Sequence, residues 1–528
     1  MARSTLFHNG RIVTLDPGNP RAEALAVVDG RILFAGDRAW CRSVLGPGAE
    51  EADLEGAWVL PGITDSHIHF TNYALGLDDL ALDNTTSIEE AVGLVRERVA
   101  TLAPGAWVLG GNWDYNRWRE RTPPGKAALD AVSPENPVAL HSRDGHSLWV
   151  NSRALELAGI TASTPDPEGG QIVRLPESNE PSGWLLEHAR EAVHAVEKRG
   201  GGTLVDAVKQ AFPLALAAGI TSIHDFDGWE AIEAYRALHA AGELQLRVYK
   251  TIPVAHLDRA IEQGIHTGQG DEWLRMGPLK IFTDGALGSH SAAMLAPYAG
   301  EPENRGIEVT PPKELQELVM CASRNRIACA LHAIGDRANR NALYAFQRAR
   351  DEGAGDGLRH RIEHAQHLDA ADLPRFAELG VIASVQPIHQ TSDMFVADAL
   401  LGERVRHSYA WRSLLESGAR LAFGSDCPVE PFDPFLGLHA AVTRQRDGQP
   451  ADGWQPQERL SAEEAYRGYT EGAAWASGEE GQKGRLAAGM LADFVLLSDN
   501  PIECAPDKIV DVQVLATYVD GREAYRAG

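Results

Sequence analysis

Short apolar runs alternate with longer amphipathic stretches through the middle of the chain. Such runs are typical of the buried strands of parallel βα units, whose two faces are both covered. We predict strands at residues 63–67, 220–224, 246–252, 279–283, 327–332, 360–364, 381–385 and 421–425. Residues 314–324 and 337–351 carry apolar positions at spacings of three and four, which indicates helices. The pattern therefore predicts an α/β fold built on a (β/α)8 TIM barrel.

The two ends of the chain have a different pattern from the middle. Near the start, strand-like segments are separated by Asn9-Gly10 and Asp29-Gly30, dipeptides that favour hairpin turns. Near the end, strand-like residues 493–497 and 512–519 are followed by Asp520-Gly521 and a further apolar segment. We predict that both ends pair into one small composite β-sandwich domain, with the barrel inserted between its two parts.

Residues 76–210 are too long for a single βα connection and contain strand and helix patterns of their own. We therefore predict that they form an insertion over the barrel mouth. The predicted organisation assigns 1–59 and 479–528 to the two parts of the composite β-domain, and 60–75 with 211–478 to the barrel.

Composition places the chain among globular proteins and narrows its partners. It has 528 residues, of which 44% are hydrophobic and 23% charged. Its 49 basic and 74 acidic residues give a net charge of -25, which would repel a nucleic-acid backbone. No apolar run approaches the roughly 20 residues of a membrane span, and the start lacks a signal-peptide core. We predict a cytoplasmic protein without nucleic-acid or membrane partners. The five cysteines form no paired pattern, so no disulfide framework is expected.

Potential metal ligands stand at the ends of several predicted strands. His67 and His69 are two residues apart at the end of the first strand, so both rings can reach one ion. His332, His364 and Asp426 lie at the ends of later strands, where a barrel enzyme places its chemistry. Neutral imidazoles and a carboxylate suit Zn²⁺. Four imidazoles and one carboxylate exceed what a single tetrahedral ion needs.

Lys280, in the fourth predicted barrel strand, is the unusual member of this set. Burial and repulsion from two dications would lower the pKa of its ammonium group. The neutral amine could then react with carbon dioxide to give a carbamate, which is an anionic bridging ligand. The alternative is a buried lysine that pairs with Asp284 or another carboxylate.

Polar and aromatic residues of the insertion and of the strand ends are candidates for substrate contacts, because loops over a barrel mouth commonly contact substrate. The candidates are Trp113, Asp114, Arg143 and His146 in the insertion, and His224, Asp284, His290 and Gln386 near barrel strand ends. Local hydrogen bonding, or support of the metal ligands, is the alternative role. Trp411, Phe432 and Phe435 are candidates for an apolar acyl or aryl pocket, with ordinary core packing as the alternative.

Five segments together carry a family resemblance. They read Pro61-Gly-Ile-Thr-Asp-Ser-His-Ile-His, Lys280-Ile-Phe-Thr-Asp-Gly-Ala-Leu-Gly-Ser, His332-Ala-Ile-Gly-Asp-Arg-Ala, Arg361-Ile-Glu-His-Ala-Gln and Gly424-Ser-Asp-Cys-Pro-Val. With them the chain resembles the amidohydrolase superfamily, specifically the YtcJ-like branch that includes N-substituted formamide deformylases. The resemblance spans nearly the whole chain. It implies a (β/α)8 barrel with two Zn²⁺ ions bridged by carboxylated Lys280 and held by His67, His69, His332, His364 and Asp426.

The resemblance also implies an activity. It points to hydrolysis of the C–N bond of a small amide or N-substituted formamide by a metal-activated hydroxide, with Asp426 as the catalytic base. The alternatives are an ester, lactone or cyclic imide hydrolase on the same site, and a non-catalytic binding or regulatory relative. The presence of Lys280 and Asp426 favours an enzyme. His290 stands where many relatives are expected to carry arginine. A small-molecule amide is the expected partner, and a homodimer is a further candidate.

Overall fold

The computed structural model describes residues 3–176, 178–198 and 202–528. Its strands are β1 (Ser4–Val13), β2 (Arg21–Val28), β3 (Arg31–Gly36), β4 (Glu50–Asp53), β5 (Trp58–Pro61), β6 (Ile63–Ile68), β7 (Leu80–Ala81), β8 (Val108–Trp113), β9 (Val138–Ser142), β10 (Ser147–Val150), β11 (Gly170–Arg174), β12 (Pro181–Glu187), β13 (Ile220–Asp225), β14 (Arg247–Pro253), β15 (Leu274–Phe282), β16 (Cys329–Ala333), β17 (Arg361–His364), β18 (Ile382–Val385), β19 (Arg420–Phe423), β20 (Phe494–Leu497), β21 (Val514–Val519) and β22 (Arg522–Arg526).

The helices lie mostly between barrel strands. They are α1 (Arg38–Leu45), α2 (Phe70–Leu75), α3 (Ile88–Val99), α4 (Lys126–Asp130), α5 (Ser152–Leu157), α6 (Glu191–His194), α7 (Leu204–Ala217), α8 (Trp229–Ala241), α9 (Leu257–Glu262), α10 (Pro312–Arg324), α11 (Asp336–Asp351), α12 (Leu373–Leu379), α13 (Pro387–Leu401), α14 (Trp411–Glu416), α15 (Pro434–Thr443), α16 (Ala462–Arg467) and α17 (Ala473–Ser477). In the part of the chain that the structure describes, no helix combines the length and the apolar character needed to cross a membrane.

Eight parallel strands form the barrel, in the order β6, β13, β14, β15, β16, β17, β18 and β19. Just beyond β19, the Asp426 N–H donates to the His67 carbonyl at 2.7 Å, and the His69 N–H donates to the Cys427 carbonyl at 2.8 Å. These two bonds link the last strand to the first. The predicted α/β barrel is confirmed, with each predicted strand present and its ends within five residues of the predicted bounds.

The strands at both ends of the chain share one sheet. Its order is β22-β21-β20-β5-β1-β2-β3, and β4 pairs with β1 beside β5. The sheet folds over on itself around an apolar core, in which the Phe7 ring lies 5.0 Å from Phe494 and 5.4 Å from Tyr518. Two-residue turns at Asp29-Gly30 and Asp520-Gly521 connect its hairpins as predicted, and all four residues have positive φ.

The predicted hairpin at Asn9-Gly10 is wrong, because these residues lie inside the continuous strand β1. Asn9 has φ of 59°, and the pairing of β1 with β2 is irregular between His8 and Ile12. The dipeptide forms a β-bulge instead of a hairpin turn. A bulge, like such a turn, can hold a residue with positive φ. The bulge lets the first half of β1 pair with β4 and its second half with β5.

The insertion contains a separate sheet in the order β11-β12-β10-β9-β8-β7. Its core includes Trp113, Trp118 and Trp149, whose ring centroids lie 5.8 to 6.2 Å apart. Residues of β8, β9, β10 and β12 face the barrel mouth and line the cavity there. Helix α7, which packs on the barrel, spans the boundary predicted at residue 210.

Candidate metal centre

A cavity of about 1610 Å³ lies between the barrel mouth and the insertion. The carboxyl ends of the barrel strands form its floor, as in other barrels of this architecture. Its lining includes all the predicted metal ligands, which are His67, His69, Lys280, His332, His364 and Asp426. The structure therefore brings together side chains from positions far apart in the sequence.

His67, His69 and Asp426 form the tightest group on this floor. The Oδ1 atom of Asp426 lies 3.4 Å from His67 Nε2 and 3.5 Å from His69 Nε2. The three candidate donor atoms all lie within 4.8 Å of one another. His67 and Asp426 are buried, and His69 is half-buried. Two imidazole nitrogens and one carboxylate oxygen thus converge on one point.

Each histidine of this pair is oriented by a buried carboxylate on its other nitrogen. His67 Nδ1 donates to Glu363 Oε2 at 2.6 Å, and His69 Nδ1 donates to Asp227 Oδ1 at 2.8 Å. Both bonds place the ring proton on Nδ1 and leave the lone pair of Nε2 free to bind a metal ion, as is usual for metal-binding histidines. Burial lowers the pKa of His67 well below its usual value, which keeps its ring neutral. Burial also opposes charge on His69, but Asp227 outweighs that effect and raises the pKa of its ring.

Replacing Glu363 by glutamine is expected to lower metal affinity at the His67 position by about 10-fold to 100-fold. The amide cannot accept as strongly from Nδ1, and it leaves the buried charge of Arg361 unpaired. Titration of metal-free protein with Co²⁺ measures the effect, with Asp227→Asn as the matched variant at His69. Unchanged affinity in both variants would show that the carboxylates do not tune these ligands.

The second part of the floor contains His332, His364 and His389. His364 is 4.6 Å from His332 and 5.9 Å from His389 between ring centroids. His364 Nδ1 and His389 Nε2 are buried and have no hydrogen-bond partner among the described residues. His332 Nε2 instead lies 3.2 Å from the Gly285 carbonyl. A second group of candidate donors, His364, His389 and Asp426, also falls within 4.8 Å.

Lys280 lies at the cavity floor between two aromatic rings. Its Nζ is 4.9 Å from the centroid of Phe226 and 4.5 Å from that of Phe282. Burial lowers the pKa of Lys280 to about 8. Among the residues that the structure describes, no carboxylate forms a salt bridge with it. Asp284 does not pair with Lys280, since it accepts the backbone N–H groups of residues 293, 334 and 335.

Two of the candidate ligands have unusual backbone conformations. His364 has φ of 73° and Asp426 has φ of 60°, both in the left-handed region. A residue other than glycine held there costs about 1 to 3 kcal/mol and recurs at functional sites. The conformations turn both side chains from the ends of their strands toward the centre of the cavity floor.

A buried arginine ties the strands together beneath the candidate ligands. Arg361 donates to the Ser66 carbonyl at 2.5 Å, to Ser384 Oγ at 2.7 Å and to Glu363. It also donates to His224 Nδ1 at 3.0 Å. The network links β6, β13, β17 and β18. His224 therefore has a structural role in the barrel interior, and it does not line the cavity.

All four insertion residues predicted to contact substrate line the cavity. Arg143 is paired with Glu430 at 2.6 Å, and His146 is paired with Glu187 at 2.9 Å. Burial raises the pKa of the Asp114 carboxyl group. The Trp113 indole N–H donates to the Leu140 carbonyl at 2.7 Å, so most of this side chain belongs to the core of the insertion.

Asp284, His290 and Gln386 lie outside the cavity lining, like His224. His290 Nδ1 is 2.6 Å from Glu301 and its ring stacks on Tyr298, whereas Gln386 is the N-cap residue just before helix α13. Among the aromatic candidates, Phe432 lines the cavity and contacts the Tyr73 ring, while Trp411 and Phe435 are buried in the core.

Sequence reasoning missed Asp227, Glu363 and His389. Glu363 stands next to His364 in the segment Arg361-Ile-Glu-His, and Asp227 follows the polar end of the second barrel strand. His389 follows the seventh strand as Gln386-Pro-Ile-His. A position at or just beyond a strand end could have indicated Glu363 and Asp227, whereas His389 lies in the first turn of helix α13.

The donor set fits a divalent metal ion. Buried nitrogens of His67, His364 and His389 lack hydrogen-bond partners in the described part of the chain, and a buried polar atom without a partner costs about 1 to 3 kcal/mol. Ions held by the two donor groups, His67/His69/Asp426 and His364/His389/Asp426, would satisfy these nitrogens. Imidazole nitrogens with a carboxylate are donors for Zn²⁺ and for neighbouring transition metals.

Comparisons with known proteins agree with this geometry. The sequence model of the amidohydrolase family matches residues 50–525. Protein LONG AFTER FAR-RED 3 of Arabidopsis thaliana is 36% identical, over 98% of this chain and 91% of its own. Putative amidohydrolase YtcJ of Bacillus subtilis is 31% identical, over 98% and 99% of the two chains. N-substituted formamide deformylase of Arthrobacter pascens is 30% identical, over 98% of each.

Solved structures show the same architecture. An uncharacterized metal-dependent hydrolase from Pyrococcus horikoshii superposes with a TM-score of 0.78 at 27% sequence identity. The match covers 96% of this chain and 99% of that one.

Proposed function

The chain belongs to the amidohydrolase family, and from that premise we propose that it hydrolyses the C–N bond of a small amide or N-substituted formamide. Family membership and the solved neighbour support a metal-dependent hydrolase as the broad class. The observation that carries the proposal is the convergence of His67, His69 and Asp426 on the floor of the cavity beneath the insertion, where the buried Nε2 of His67 has no hydrogen-bond partner among the described residues.

His67, His69, His332, His364, Asp426 and a carboxylated Lys280 would hold the metal. A divalent ion supplies Lewis acidity, which activates water and polarises a carbonyl group. Zn²⁺ is the expected metal, because neutral imidazoles dominate the donor set. Glu363 and Asp227 keep the proton on Nδ1 of His67 and His69, so that each Nε2 presents a lone pair to the ion.

Asp426 is the proposed catalytic base. It would take a proton from the attacking water and deliver that proton to the leaving nitrogen. An amide needs this step because an amide anion is a very poor leaving group. Its Oδ1 atom faces the Nε2 atoms of His67 and His69, and its Oδ2 atom lies 3.7 Å from His389 Nε2.

The insertion would position the substrate and exclude water. Arg143, Asp114 and His146 line the cavity on the side of the insertion, and the His146 ring lies 5.3 Å from that of His332. Arg143 and His146 are already held by Glu430 and Glu187, so Arg143 offers its remaining N–H groups, and His146 its Nε2 atom, in fixed directions. Preformed polar groups of this kind select substrates with a carbonyl or N–H group in reach.

A matched set of substrates tests the proposal. Metal-loaded protein is given a formamide, an acetamide and a formate ester that carry the same alkyl substituent, and amine or alcohol release is measured. We expect the formamide to be cleaved. Removal of the metal by a chelator is expected to lower the rate of cleavage by about 10³-fold, since Lewis-acid activation lowers the barrier by several kcal/mol. Cleavage of the ester alone would favour an esterase. Bound metal without hydrolysis of any of the three would favour a binding protein.

A further inference from the structure

His389 is fixed at the start of a long helix that follows the seventh barrel strand. Strand β18 ends at Val385, Gln386 caps α13, and Pro387 occupies the first helical position. Proline there restricts the backbone and favours the first turn of a helix. The His389 side chain is therefore held at the carboxyl edge of the barrel by rigid elements on both sides.

The His389 ring is aimed at the candidate ligands. Its Nε2 lies 3.7 Å from Asp426 Oδ2, too far for a hydrogen bond. The ring is nearly parallel to that of His364, with an interplanar angle of 14°. Only 9% of the residue is exposed, and Nε2 has no hydrogen-bond partner among the described residues.

The order of the strands places His389 inside the ring of ligands. Strands β17, β18 and β19 are neighbours, and they lead to His364, His389 and Asp426 in that order. Strand β6, which carries His67, is linked to the residues after β19. Four consecutive positions around the barrel therefore each provide a donor. Without His389, the position after β18 would be the gap in this series.

We propose that His389 is a metal ligand, which holds a divalent transition-metal ion together with His364 and Asp426. Their candidate donor atoms lie within 4.8 Å of one another, and two nitrogens with one carboxylate oxygen suit Zn²⁺ or Co²⁺. The inference rests on the proposed function, because it takes a metal ion to be part of the active protein. It adds a residue to the ligand set that the family resemblance implies.

A histidine at this position is unfavourable for stability if its Nε2 atom binds nothing. A buried nitrogen that finds no partner costs about 1 to 3 kcal/mol, whereas leucine or methionine would fill the same space without that cost. His332, by contrast, directs its Nε2 at the Gly285 carbonyl. His389 is therefore better placed than His332 to share an ion with His364 and Asp426.

Titration of the metal-free full chain with Co²⁺ tests the assignment. His389→Ala is expected to weaken binding of one Co²⁺ by at least about 100-fold, more than the loss of an outer partner would cause. His439→Ala is the control, because His439 lines the same cavity on α15 but belongs to neither candidate donor group.

A second variant separates ligation from a general disturbance of the fold. His389→Cys places a thiolate at the same point and is expected to add a sulfur-to-cobalt charge-transfer band in the near ultraviolet. The wild-type protein is the baseline, because its Cys427 lies beside Asp426. Unaltered Co²⁺ affinity in His389→Ala, or Co²⁺ binding by His389→Cys without the new band, would overturn the assignment and leave the hydrolase intact. A wild-type protein that binds no Co²⁺ would overturn both.

Discussion

Asp426→Asn is expected to lower kcat by about 10³-fold to 10⁴-fold while the protein keeps much of its metal. The amide retains an oxygen near His67 Nε2 and His69 Nε2, which lie 3.4 and 3.5 Å from Oδ1 in the native side chain. It cannot carry a proton from water to the leaving nitrogen, and a positioned acid or base contributes about 10² to 10⁴ in rate. The expected loss therefore falls on turnover and much less on metal content.

Turnover at saturating substrate and metal content by elemental analysis are measured on the same preparation. Asp507→Asn is the control, because Asp507 is an exposed carboxylate at the outer edge of the same cavity. The control is expected to match the native protein in both measurements. Near-native turnover in Asp426→Asn would remove this residue as the base, and complete loss of metal would make it chiefly a ligand.

Lys280→Met and Lys280→Arg are both expected to bind one fewer metal ion and to lose most activity. Neither side chain can form a carbamate, although arginine keeps the positive charge. Lys250 provides a structural contrast within the same barrel, since its buried Nζ lies 3.1 Å from Asp225 and donates to the Asp227 carbonyl at 2.6 Å. Lys280 has no such salt bridge among the described residues and lies between aromatic rings.

The lowered pKa gives the Lys280 prediction a pH dependence. With the pKa at about 8, roughly a tenth of the amine is neutral at pH 7 and roughly nine tenths at pH 9. Only the neutral amine reacts with carbon dioxide, so metal uptake by metal-free protein is expected to speed up as pH rises through about 8. It should also depend on added bicarbonate. Uptake that ignores bicarbonate in the native protein would contradict carboxylation.

The barrel could be predicted because its strands are short, apolar and regularly separated by helices. Strands such as β6 and β16 are buried on both faces, so they stand out from the amphipathic helices around them. The ends of these strands located His67, His332 and Asp426 without any knowledge of their distances. Position along a strand was enough, since parallel strands place their carboxyl ends at one edge of the barrel.

Other features depend on contacts that a sequence does not contain. Asn9-Gly10 fits a turn and a bulge equally well, and only the pairing of β1 with β4 and β5 decides between them. His290 follows the fourth barrel strand by eight residues, and its ring turns away to Glu301. His389 lies in the first turn of helix α13, and only the path of that helix brings its ring close to Asp426.

The pairing of β5 with β20 has a consequence for synthesis of the chain. Strand β5 runs through Gly62 directly into β6, and the Gly62 N–H donates to the Asp493 carbonyl just before β20. At about 5 to 20 residues per second, the ribosome delivers β20 tens of seconds after β5. During that interval one edge of β5 has no partner and is open to association with other nascent chains. The strand that carries His67 therefore gains its anchor on this side only after residues 493–497 have been synthesised.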